Sequence, residues 1–95
     1  MPKGYLVAHI KVHDKEKFAK FAEMAMPVIS EYGGTVLVRN PTPEVREGRE
    51  TGIAIVIEFD SIESARNFYE SEKYTEAKAV RELASEAELI LVEGV

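Results

Sequence analysis

Near the start of the chain the even-numbered positions Leu6, Ala8, Ile10 and Val12 are all apolar, while the odd positions Tyr5, Val7, His9 and Lys11 are mixed. A period of two is that of a pleated strand with one core face, so Gly4 to His13 is predicted to be a strand. The period then changes. Phe18, Phe21, Ala22, Ala25, Val28, Ile29 and Tyr32 recur at three- and four-residue spacing and form one helical stripe. Asp14 ahead of the stripe can cap the free N–H groups of the first turn. Gly33-Gly34 behind it ends the helix, because glycine adopts the left-handed C′ conformation cheaply. Pro27 inside the stripe removes a backbone donor and crowds the preceding turn, which predicts a kink from Glu23 to Met26.

Thr35 to Asn40 reads as a second strand. Pro41 to Thr51, with two prolines, Gly48 and several charges, is a surface loop or lid. Ile53 to Phe59 is the third strand. Ser61 caps a helix that buries Ile62, Ala65, Phe68 and Tyr69. Ser71 starts another helical stretch through Tyr74, Ala77, Val80, Arg81 and Ala84, ending near Ser85. Glu88 to Glu93 is the last strand.

Two βαβ halves in one chain predict a ferredoxin-like α+β domain: a four-stranded antiparallel sheet with the helices on one face. The opposite face should then be polar, and it is not. The third strand has Ile53, Ile55, Ile57 and Phe59 on one side and Ala54 and Val56 on the other; the fourth has Leu89 and Leu91 opposite Ile90 and Val92. A strand apolar on both sides implies burial on both sides. The simplest cover is the same face of a second copy, which makes the expected assembly a homodimeric α+β barrel.

At 95 residues the chain makes a single domain with one modest core. A net charge of −5 argues against a nucleic-acid partner, whose phosphates need a basic patch. The absence of cysteine removes disulfides, thiolate metal sites and cysteine nucleophiles, and fits a cytoplasmic protein. No apolar stretch has the length of a membrane span or reads as a signal peptide, so no membrane partner is expected.

Several residues together resemble the bacterial and archaeal family known as domain of unknown function 1330. They are Gly4-Tyr5, Asp14, Tyr32-Gly33-Gly34, Val38-Arg39 and Glu47-Gly48, then Ile57-Glu58-Phe59 with Ser61, Ala65, Phe68-Tyr69, Ser71, Tyr74 and Arg81, and finally Ala84-Ser85 and Val92-Glu93-Gly94-Val95. Their order and spacing carry the likeness, which spans nearly the whole chain. Leu6 and Phe68 depart from it, where the family often has a large aromatic residue and tryptophan respectively. The resemblance implies a small homodimer within the dimeric α+β barrel superfamily and implies no particular reaction. That superfamily holds cofactor-independent monooxygenases, haem-degrading enzymes, muconolactone isomerases and stress-response dimers, and fold alone does not choose among them.

Two sets of residues could carry chemistry. By strand parity, His9, Arg39 and Glu58 would share one sheet face if the registers align, with His9 as a base, Arg39 as an anion anchor and Glu58 as an orienting carboxylate. The competing reading is an Arg–Glu ion pair beside a hydrogen-bonded histidine. Tyr69, Tyr74 and Arg81 form the second set. Arg81 stands two helical turns after Tyr74, so a hydroxyl and a guanidinium could hold a carboxylate. The alternative there is a packed tyrosine, with Arg81 tied to Glu47 of the long loop, which would otherwise serve as part of a lid over the ligand. His13 is expected to be exposed. Two histidines without cysteine or a close carboxylate spacing predict no metal site, and no cofactor is expected.

The leading expectation is a cytoplasmic homodimer that binds a small organic ligand between sheet and helices, with cofactor-independent monooxygenase- or isomerase-like chemistry open to it. The competing class is a non-enzymatic dimeric binding or stress-associated module. An enzyme would need a cavity of roughly 300 Å³ or more with converging polar groups.

Overall fold

The first alternating segment becomes β1, Gly4–Val12, a central strand of the sheet. The computed structural model describes residues 2–95, and Met1, the start of the predicted N-terminal segment, lies outside the described residues. The elements that follow are α1 (Lys15–Glu31), β2 (Thr35–Asn40), β3 (Ile53–Phe59), α2 (Ile62–Glu70), α3 (Glu72–Ala84) and β4 (Ser85–Glu93). The strands pair antiparallel in the order β2-β3-β1-β4. This is the ferredoxin-like α+β arrangement that the two βαβ halves predict.

The local signals act where the sequence puts them. The Asp14 carboxylate accepts from the Lys17 N–H at 3.1 Å and caps α1. At the other end Gly33 takes φ +74°, the Gly33 N–H donates to the Ser30 carbonyl at 3.0 Å, and the Gly34 N–H donates to the Ile29 carbonyl at 2.8 Å. That pair of bonds is a Schellman motif, which closes the helix and turns the chain into β2. Pro27 lies within one continuous helical span.

Ser71 breaks the second helical region in two. Its backbone is extended, its Oγ donates to the Phe68 carbonyl at 2.7 Å and accepts from the Tyr74 N–H at 3.2 Å. One serine thus closes α2 and caps α3. The break brings the rings of Phe68 and Tyr74 to 4.5 Å, inside the core.

β4 begins three residues earlier than the predicted Glu88. Ser85 is already extended and pairs with Val12, so the chain passes from helix to strand without a loop. Glu86 and Glu88 are exposed while Ala87 packs against the core, which is a strand alternation too polar to be recognised from composition.

The helix-facing side of the sheet carries Leu6, Ala8, Ile10, Ile57 and Phe59, all buried. Phe59 and Phe68 are the largest fully buried side chains. α1 packs principally against α3, and the space between α1 and the sheet is incompletely filled. On the other side of the sheet Val38, Val56, Val7 and Ile90 stand opposite one another across all four strands. Ile90 is 57 % exposed and Leu37 51 %. The apolar outer face that the sequence predicts is therefore present and uncovered in the single chain.

Candidate functional site

A cavity of about 90 Å³ lies between α1 and the sheet. Leu6, Ala8 and Ile10 of β1 and Ile55 and Ile57 of β3 form one wall; Phe18, Phe21, Ala22, Ala25 and Met26 of α1 form the other. It exists because small side chains face it from both sides: Ala8 sits between Leu6 and Ile10, and Ala22 and Ala25 occupy the inner stripe of α1. The volume is below the roughly 300 Å³ of a typical small-molecule site. Its side toward Met26 and Arg39, both exposed residues, is open, so a longer molecule could extend there.

Only three residues lining this cavity have polar side chains: Arg39, Tyr74 and Arg81. Arg81 is 6 % exposed and Tyr74 is 3 % exposed. The Arg81 Nη1 donates to the Tyr74 hydroxyl oxygen at 2.8 Å, and its Nε has no hydrogen-bond partner. Among the described residues no carboxylate is ion-paired with Arg81. Its nearest other partner is the Phe21 ring, 6.0 Å from guanidinium carbon to centroid, the outer limit of a cation–π contact. Burial raises the Tyr74 hydroxyl above the usual tyrosine range, and the positive charge of Arg81 opposes the rise without cancelling it.

A buried cation without a counter-ion is costly, because desolvation takes several kcal/mol that nothing nearby returns. Its donors are what an anionic group would use. Tyr69 lies behind this pair, its ring 5.6 Å from that of Tyr74, with the Lys78 ammonium 5.1 Å from its centroid. It does not line the cavity.

The other predicted set does not assemble. A β-bulge at Leu37 shifts the pairing of β2 with β3: Val36 stands opposite Ile57, but Val38 stands opposite Val56 and Arg39 opposite Ile55. Arg39 therefore turns to the helix side, while His9 and Glu58 remain on the outer face. Parity counted through Leu37 gives the wrong face, because a bulge adds one residue without a partner. His9 and Glu58 are themselves apart. Glu58 is opposite Tyr5 and His9 is opposite Ala54, four residues or roughly 13 Å further along β1. The Glu58 Oε2 accepts from the Tyr5 hydroxyl at 3.1 Å, and this hydrogen bond raises the Tyr5 pKa. His9 is exposed and borders a wide cleft under the long loop, with Lys11, Glu47, Glu86 and Glu88. Glu47 is thus grouped with outer-face residues, and no hydrogen bond or ion pair joins it to Arg81. His13 is exposed, and no group of three potential metal ligands occurs among the described residues. Among the described residues no helix is long and apolar enough to cross a membrane.

What sequence reasoning missed is the face of Arg39: as an anion anchor beside Arg81 it lies on the helix side of the sheet, apart from His9 and Glu58. The signal that could have found it is weak: Leu37 and Val38 are consecutive apolar residues on an edge strand, where bulges concentrate.

The family model described as domain of unknown function DUF1330 matches residues 3–95. No curated protein matches the chain. Among solved structures, a protein of unknown function from Rhodopseudomonas palustris is similar at 16 % identity and TM-score 0.83, covering 99 % of this chain and 83 % of that one. SnoaB, a cofactor-independent oxygenase from Streptomyces nogalater, is similar at 13 % identity and TM-score 0.67, over 97 % of this chain and 92 % of that one. A dimeric protein of unknown function with a ferredoxin-like fold from Bacteroides fragilis is similar at 15 % identity and TM-score 0.61, over 96 % and 95 %. At these identities the likeness is one of fold.

Proposed function

The chain belongs to the DUF1330 family, and on that premise we propose that it is a homodimeric α+β barrel protein that binds a small organic anion between α1 and the sheet. The observation that carries the reading is Arg81: a guanidinium 6 % exposed, in an apolar cavity, with a free Nε and no paired carboxylate. Arg81 and Tyr74 hold the anion, and Arg39 at the open side draws it in. The dimer forms through the outer sheet face, where the row Val38–Val56–Val7–Ile90 would be covered. The dimeric protein from Bacteroides fragilis supports that assembly as a precedent of the fold. A chain without cysteine suits a cytoplasmic setting.

The finer reading is cofactor-independent oxygenase- or isomerase-type chemistry on that anion, for which SnoaB is the precedent of fold. No histidine, aspartate or glutamate lines the cavity, so a reaction there starts from a substrate that arrives ionised. The protein then stabilises negative charge with donors already in place, while His9 and Glu58 lie on the outer face, away from this cavity.

A thermal-shift panel of small carboxylates and their neutral amide or alcohol counterparts tests the binding reading. Carboxylates should raise Tm with rising concentration, as any ligand specific for the folded state does, and Arg81→Met should abolish the response. A panel in which no anion shifts wild type more than its neutral counterpart would sink it.

A further inference from the structure

Resting on that reading, we infer that the occupant is a planar carboxylate whose oxygens accept from the Tyr74 hydroxyl and from the Arg81 guanidinium, and that its apolar body lies in the cavity beside Ala8 and Ala22. Arginine has no acceptor, so the 2.8 Å bond between this pair has only one polarity: Arg81 donates and the tyrosine oxygen accepts. The Tyr74 proton must then point away from the guanidinium. Among the described residues no hydrogen-bond acceptor takes it, although the residue is 3 % exposed. The deep end of the cavity thus presents the Tyr74 O–H and the guanidinium N–H groups that Arg81 does not spend on Tyr74, and no carboxylate.

A donor-rich site with a cation favours a carboxylate, which has acceptors alone and a negative charge, over an alcohol or primary amide, which brings further O–H or N–H groups into it. The body of the ligand is set by the walls. The rings of Phe18, Phe21, Phe68 and Tyr74 line it, with Phe21 edge-on to Tyr74, and the small residues Ala8, Ala22 and Ala25 leave the space beside them. A flat ring fits such a slot better than a puckered one.

Calorimetric titration of the full chain with benzoate, benzamide and cyclohexanecarboxylate tests this in wild type, Tyr74→Phe and Ala22→Phe. Benzoate should bind wild type about tenfold or more tightly than benzamide, as expected for hydrogen bonds to a charged acceptor. It should also bind more tightly than cyclohexanecarboxylate. Tyr74→Phe should weaken benzoate by about tenfold, and Ala22→Phe should abolish it by filling the slot. The chain has no tryptophan, so a tyrosine difference spectrum on adding benzoate checks the Tyr74 bond in wild type, should Tyr74→Phe fold poorly. Equal binding of benzoate by wild type and Tyr74→Phe, or of benzoate and benzamide, overturns the donor assignment. Cyclohexanecarboxylate binding as tightly as benzoate overturns the planar body while the anion reading stands. If neither carboxylate binds, or Ala22→Phe binds like wild type, the cavity is not the site and both fall.

Discussion

Arg81 separates a structural role from a ligand-binding one more sharply than any other residue. A buried charge kept for the fold would have a carboxylate beside it; removing one member of such a pair costs about 3–5 kcal/mol. Arg81 has a tyrosine oxygen and an aromatic ring instead. Replacing it with methionine removes an uncompensated charge, but forfeits a charge-assisted hydrogen bond worth about 1.5–3 kcal/mol and leaves the buried Tyr74 oxygen without its donor. Arg81→Met is therefore expected to change the stability of the ligand-free protein by less than about 2 kcal/mol in urea unfolding; a loss of about 3 kcal/mol or more would show a structural role. Tyr74 gives a second prediction. Its pKa is raised by burial, so the folded chain keeps the proton at a pH where the unfolded chain has lost it. Stability is full below the ordinary tyrosine value near 10 and falls as pH rises through the folded value. Tyr5 is raised too, by its hydrogen bond to Glu58, and adds to the same fall. Tm measured from pH 8 to 11 should decline, and less steeply in Tyr74→Phe.

Among the elements, the helix ends govern how the site is placed. A Cβ on Gly34 would come within 2.8 Å of Ile29 Cγ2 and of Phe59 Cε1. Both neighbours are core side chains with little room to move, so Gly34→Ala should destabilise by about 1–3 kcal/mol, the cost of overpacking a filled core. Gly33→Ala meets nothing within 4 Å, and its cost comes from φ +74° alone. Chemical denaturation of the two variants separates steric from conformational cost. The Asp14, Gly33-Gly34, Ser61 and Ser71 signals were legible in the sequence because caps act over three or four residues. The bulge at Leu37 was not, because it is defined by the partner strand, and with it the face of Arg39 was lost.

For the whole molecule, the proposed dimer turns on the uncovered sheet. The chain is a slab of 36 × 32 × 16 Å with helices on one broad face and an apolar row on the other. Polar residues flank that row, Tyr5 and Glu58 on one side and His9 and Glu88 on the other, which is the core-and-rim pattern of an interface. Sedimentation should show a dimer at micromolar concentration. Val56→Asp, at the centre of the row, should shift it to monomer with the helical circular dichroism unchanged. A wild type that sediments as a monomer would remove the barrel.

By itself the sequence determined the order of the elements, their caps, the two apolar faces and the family, because periodicity and capping are local and are repeated along the chain. Tertiary structure alone decided that the bulge turns Arg39 to the helix side, that Glu58 is taken by Tyr5, and that the Arg81–Tyr74 pair is buried against a cavity lined by Ala8, Ala22 and Ala25. Those facts depend on which strand lies beside which and on what volume the packed layers leave unfilled, and neither quantity is written at any single position of the chain.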